Sequence, residues 1–305
     1  MQPMDLVRIL RQRLEALPPG DHLIGLRAVL QHVEVATKHF FRGNESGDDT
    51  AYTDAIYRTN QAFEGSLKEA YRVLAVKDPE KVRPFDIEKY LEDNSTLRQR
   101  VRVQLTRYRT EWRNPSTHDY KLDFDDAEAL LAIVSVCALA VVLIDEIVEK
   151  LAEDAAKKDA PRELSRHPDR SLLDEVAEVL LHLQIPDTHA PRILEAAVIG
   201  ALVGHLRTMF PDASVNSEVA LTSDTRTNRV DILVERKDAR VLVEVKRSGR
   251  ANADAGVAQV MRYMAASGAT DAVVFLFSET LGVEMTREDR RVDAGRIVVI
   301  QPRHE

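Results

Sequence analysis

The sequence predicts a two-part chain: an all-α helical bundle, then an α/β domain built on a mixed sheet. Three observations predict this. Through roughly the first 150 residues, apolar side chains recur every three or four positions, the helical period. From Ser171 onward, helical stretches alternate with short β-branched runs, the signature of strands packed under helices. Between them, Ala152 to Pro168 is small, charged and punctuated by proline, as linkers are. The expected organisation is 1–155 bundle, 156–170 linker and 171–305 α/β domain.

At 305 residues, two domains are the natural expectation. A net charge of −8 gives no global basic footprint, so any nucleic-acid surface must be local. Cys137 is the single cysteine, which excludes an intrachain disulfide and a cysteine zinc cluster. That suits a reducing, cytoplasmic setting. Met1 to Leu17 is charged and amphipathic, unlike a secretory signal. The longest apolar run, Ala129 to Ile144, is shorter than the roughly 20 residues a membrane span needs. Acids flank it (Asp125, Asp126, Asp145, Glu146), so a core or interface helix is expected, with no membrane partner.

In the first part, Leu6, Ile9, Leu10, Leu14 and Leu17 mark a helix that Pro18-Pro19-Gly20 stops. A second helix is expected from about Asp21 to Phe41, with a polar loop at Gly43 to Asp49. A third runs from Thr50 to Val76, and Pro79 and Pro84 mark a turn. A further helix, starting at Phe85 or Asn94, carries Leu97, Val101, Leu105, Tyr108 and Trp112 as an apolar stripe. Arg98, Arg102, Arg109 and Arg113 share another face of it. Like charges at that spacing repel by about 0.2–0.5 kcal/mol per pair, so they suit an anionic partner, nucleic acid or the acids of another helix.

That helix runs into Arg113-Asn114-Pro115-Ser116-Thr117-His118-Asp119-Tyr120. Pro115 must disturb it, having no N–H and clashing with the preceding turn. Arginine offers bidentate contact to phosphate, and histidine titrates near neutrality. Together Arg113 and His118 suit metal-free RNA cleavage, in which the 2′-OH attacks its own phosphate. The stretch resembles the HEPN family, whose hallmark is R-x-x-x-x-H in an α-helical bundle. Asn114 matches the polar residue after the arginine, and Tyr120 matches the R-x-x-x-x-H-x-Y form of HEPN toxins, where the tyrosine is open to modification by a partner. The resemblance implies a homodimer, with the helix Asp126 to Lys150 as a plausible interface.

In the second part, helices are expected at Ser171–Gln184 and from Pro191 to about Met209, the latter carrying Glu195. Ser214–Leu221 reads as extended and carries Glu218. Arg229 to Lys246 then reads as a hairpin whose turn is Arg236 to Ala239. That turn sets Glu235 opposite Arg240, Leu233 opposite Leu242 and Asp231 opposite Glu244. Asp231, Glu244 and Lys246 then share one face, and Val230, Ile232, Val234, Val241, Val243 and Val245 the other. A helix from Asn252 to Ala266 follows, with Val257, Val260, Met261 and Met264 buried and Gln259 and Tyr263 on its flank. Ala272–Phe277 reads as a central strand and Arg296–Ile300 as the last, in the order α–β–β–β–α–β–α–β.

Opposed carboxylates repel, and a hard cation such as Mg²⁺ reverses that, taking carboxylates, phosphate and water as ligands. Lys246 is placed to hold or polarise the attacking water. This is equipment for metal-assisted phosphodiester hydrolysis. Asp231, the hairpin and Glu244-Val245-Lys246 resemble the PD-(D/E)xK nucleases, the restriction-endonuclease-like superfamily, and Gln259 and Tyr263 match the Q-x-x-x-Y element of some branches. The resemblance implies Mg²⁺ or Mn²⁺ held by Asp231, Glu244 and the Val245 carbonyl. It also implies a further carboxylate, for which Glu195 and Glu218 are rivals. The expected activity is that of a nuclease of prokaryotic defence or toxin type, with one metal-dependent and one metal-free centre acting on DNA, RNA or both. The alternatives are a single metal-dependent nuclease whose bundle dimerises, binds RNA or senses a signal through a regulatory protein partner, and a non-catalytic scaffold.

Overall fold

The computed structural model describes residues 5–94, 97, 99–118, 121–159, 170–183, 193–222, 227–280 and 282–303. The chain divides into two compact units, residues 1–148 and 149–305. The expected class holds: a helical first part, then a mixed six-stranded sheet with helices.

The first unit contains α1 (Leu6–Glu15), α2 (His22–Ser46), α3 (Thr50–Leu74), α4 (Pro84–Asp93), α5 (Gln99–Tyr108), α6 (Asn114–His118) and most of α7 (Asp126–Asp159). Asp5 caps α1 by accepting from the Arg8 N–H at 3.0 Å. Phe63 of α3 stacks on Tyr108 of α5 with ring centroids 4.6 Å apart. Pro115 has its expected effect as a π-turn over Arg109–Arg113, where the Asn114 N–H reaches back five residues to the Arg109 carbonyl. The widened turn relieves the clash that proline makes with an α-helical carbonyl.

Among the described residues, α7 is long and apolar enough to cross a membrane by length and composition, with half of that window buried in the protein. Ala132, Val136, Ala140, Leu143 and Ile147 are fully buried on one side, whereas Leu130, Leu131 and Val134 are exposed. The helix also runs through residues 156–159, where a linker was expected, and the remainder of that stretch to 169 lies outside the described residues.

The second unit adds α8 (Leu172–Leu181), α9 (Glu195–Met209), β1 (Ser214–Thr222), β2 (Thr227–Arg236), β3 (Ala239–Arg247), α10 (Arg250–Ser267), β4 (Asp271–Phe277), β5 (Met285–Val292) and β6 (Gly295–Pro302). The strand order is β1-β2-β3-β4-β6-β5. β1, β2 and β3 are antiparallel, β3, β4 and β6 parallel, and β5 antiparallel to β6. One face of the sheet buries Ile232, Val243, Phe275 and Phe277 under α8 and α9, and the other buries Leu233, Leu242, Val274 and Val299 under α10. Each such large side chain contributes roughly 1.5–3 kcal/mol of burial. Gly256 of α10 lets the helix approach β4 closely, since a Cβ there would meet Val274 Cγ1 at 2.7 Å.

Three expectations are corrected. Between β4 and β6 the chain forms the strand β5 and not a helix. Its sequence, MTREDRRV, holds charge on both faces because it is an edge strand, paired only with β6. Met261 is exposed, and Tyr263 is buried in its place. Val230 packs on the α10 face with Leu233 and not with Ile232.

That last correction marks a break in the pleat. Val215 of β1 lies on the α8–α9 face, whereas Val219 and Leu221 lie on the α10 face, although all three would share a face in a regular strand. β2 changes face between Val230 and Ile232. The pairing joins Ser217 to Ile232 and Val219 to Val230 and skips Glu218 and Asp231 between them. Glu218 has φ +53°, in the left-handed region.

Candidate metal-dependent nuclease site

The hairpin register is the expected one: Leu233 pairs with Leu242, Glu235 with Arg240 and Arg236 with Ala239. Lys237 supplies the positive φ, +54°, that a two-residue hairpin turn requires. The ladder ends at Ile232–Val243, so Asp231 and Glu244 are not a ladder pair. The Asp231 side chain crosses the opening instead, and its Oδ2 accepts the Val245 N–H at 2.7 Å. Lys246 Nζ donates to Glu244 Oε1 at 2.6 Å.

Glu244 is 1% exposed, and its Oε2 is buried with no hydrogen-bond partner. A buried, unpaired carboxylate oxygen is costly. Burial, with the charge of Glu244 beside it, drives the Asp231 carboxyl well above its usual range, against the pull of the Val245 N–H. Burial also raises Glu244, which Lys246 partly offsets. Burial alone would lower Lys246, but its bond to Glu244 and the surrounding carboxylates hold it above its ordinary value. Lys246 is therefore a donor here, suited to orienting a water or stabilising phosphate charge, and not a resting base.

The other expected residues of this half fall around the cluster. Glu195 is exposed in the first turn of α9, close enough for its charge to act on Asp231, Glu244 and Lys246. Glu218 acts on the same two carboxylates and pairs with Arg229 at 3.5 Å. Gln259 donates to the buried Tyr263 hydroxyl, which feels the charges of Glu244 and Asp231. Among the described residues, no three His, Cys, Asp or Glu side chains gather tightly enough to hold a metal by themselves. A cation here would find the two carboxylates Asp231 and Glu244 and would need water and substrate phosphate to complete its shell, a usual ligand set for Mg²⁺. The orphaned Glu244 oxygen fits that set.

The helical motif is arranged differently. Arg113 Nε and Nη2 both donate to Glu64 Oε1, at 3.2 and 3.1 Å, and Nη1 donates to Asn114 Oδ1 at 3.2 Å. Ser116 fixes this segment to α3 by accepting from Asn60 at 2.6 Å. His118 is exposed at the end of α6, and no hydrogen bond joins it to Arg113. Tyr120 lies outside the described residues, as does Arg98. Arg109 pairs with the buried Glu88, and Arg102 donates to the Glu92 carbonyl at 3.3 Å. Among the described residues of that face, Arg109 and Arg113 are ion-paired with α4 and α3, and Arg102 is bonded to the α4 backbone. Glu64 and Glu88 sit far from the motif in sequence, and no local signal joins them to it.

A family model described as the N terminus of type I restriction enzyme R protein matches residues 198–294. The match covers less than half of the chain, contains Asp231, Glu244, Lys246, Gln259 and Tyr263, and leaves out Glu195 and the helical unit. It supports a restriction-enzyme-like nuclease context for the second unit. No curated protein matches the chain.

Proposed function

We propose that the second unit is a metal-dependent phosphodiesterase centre acting on nucleic acid, with Asp231, Glu244 and Lys246 as its working residues. The observation that carries the reading is the buried Glu244 oxygen without a partner, beside Asp231 and Lys246. A bound Mg²⁺ or Mn²⁺ would supply Lewis acidity and an acidified water. Asp231, fixed by the Val245 amide, and Glu244 would hold the ion together with the Val245 carbonyl. Lys246, kept protonated, would orient the nucleophilic water and stabilise charge on the phosphate. Gln259, fixed by Tyr263, would position phosphate or water, and Glu195 would add a carboxylate at the rim.

For the helical unit, the ion pairs of Arg109 and Arg113 favour a dimerising or regulatory role over a second catalytic centre. A groove of about 490 Å³, lined by Tyr108, Trp112, Val134, Leu139 and Val142, adjoins exposed apolar residues of α7 and suits a homodimer contact. The test is cleavage of duplex DNA and single-stranded RNA with Mg²⁺, with Mn²⁺ and with EDTA. Metal-dependent cleavage that Asp231→Asn abolishes supports the reading. Absence of cleavage in any metal, together with no Mn²⁺ uptake by isothermal titration, refutes it and favours the scaffold.

A further inference from the structure

We propose that Glu218 is a positioning residue for the metal centre and acts through its left-handed backbone, not its carboxylate. The inference rests on reading Asp231, Glu244 and Lys246 as that centre. Its starting point is the conjunction already described: φ +53° at a non-glycine residue inside a strand, facing the position the β1–β2 pairing skips, where both strands change face. Such conformations carry a cost and persist where surrounding structure imposes them, commonly at functional sites.

What the kink accomplishes can be read from the ladders. In an unbroken pleat, the register continuing from Ile232–Val243 would set Asp231 directly opposite Glu244, as a like-charge pair. In the kinked sheet that pair does not form. The β2–β3 ladder stops one residue earlier, and Asp231 turns to the Val245 amide. The two carboxylates thereby flank the end of a ladder, in place of facing each other within it. The Glu218 carboxylate pairs with Arg229 and acts on Asp231 and Glu244 only through space, and among the described residues no third acid completes a metal cage. The unusual feature of Glu218 is its backbone.

The experiment separates conformation from charge in the full chain. Mn²⁺ affinity is measured by isothermal titration for wild type, Asp231→Asn, Glu218→Gln, Glu218→Gly, Glu218→Asn and Glu218→Val. Glycine and asparagine tolerate positive φ and β-branched valine does not. The Gln, Gly and Asn variants should therefore stay within about threefold of wild type, while Val weakens binding by about tenfold or more. If Glu218→Val does not fold, melting decides: Glu218→Gly should melt no lower than Glu218→Gln, despite glycine's freer unfolded chain, because it relieves the strain. Loss of Mn²⁺ in the Gln, Gly and Asn variants alike would show that the carboxylate matters and overturn the proposal. So would wild-type affinity in Glu218→Val, or Glu218→Gly melting below Glu218→Gln. Equal binding by wild type and Asp231→Asn, or none by either, would instead remove the metal centre on which the inference rests.

Discussion

Asp231→Asn should reverse its effect on stability when a divalent cation is added. Both site carboxyls hold their protons more tightly in the folded than in the unfolded chain. The sign follows from linkage: metal-free protein is favoured at low pH and loses stability as pH rises from the ordinary carboxylate range through the raised folded values. Asparagine removes one of the two charges and still accepts the Val245 N–H through Oδ1. Metal-free Asp231→Asn should therefore melt above wild type at pH 8, with a flatter pH profile. With Mn²⁺ at a hundred times its dissociation constant, wild type gains about 2.7 kcal/mol, whereas the variant lacks a ligand and gains little. In a unit the size of residues 149–305, that corresponds to a melting shift of about 5–10 °C. The assay is a thermal melt of both proteins over a Mn²⁺ series at pH 5 and pH 8. Parallel shifts in the two proteins would refute the assignment of Asp231, and a wild type that gains stability as pH rises from 5 to 8 without metal would refute the reading of its buried charge.

Lys246→Met should lower cleavage by about 10²–10⁴-fold while Mn²⁺ titration remains near wild type, because the ammonium is a donor and not a ligand; equal loss of both would contradict that division. In EDTA, wild type should leave RNA intact, since Arg113 is held by Glu64, and an EDTA-resistant cleavage that disappears in His118→Ala would overturn the regulatory reading of the helical unit. Gly200→Ala would set a Cβ 2.1 Å from the Glu149 carbonyl oxygen and should cost about 1–3 kcal/mol of stability, seen as a lower midpoint in urea; an unchanged midpoint would mean that α9 shifts freely. Leu131→Glu should yield monomers by light scattering where wild type is dimeric, and a wild type that is monomeric at all concentrations removes the dimer proposal.

The hairpin register was legible because alternation and a two-residue turn leave few choices for Leu233, Glu235 and their partners. The α10 flank was legible for the same reason, since Gln259 and Tyr263 are one helical turn apart. The pleat reversal was not, because left-handed Glu218 carries none of the glycine or asparagine that usually announces positive φ. Nor was β5, since Arg287 to Arg291 hide the alternation that identifies a strand. The arginine stripe showed the opposite difficulty. Its periodicity was plain, but Glu88 and Glu64 come from other helices, and only the folded chain brings them to Arg109 and Arg113.

The two borders of the sheet have a consequence for assembly. On β5, Arg287 is paired with Asp174 and Asp289, and Arg290 with Glu288 and Asp254, so an incoming strand from another copy would meet fixed charges. On β1, the bend at Glu218 spoils the straight template that such a strand needs. Both borders are thus poor templates for strand addition by another copy.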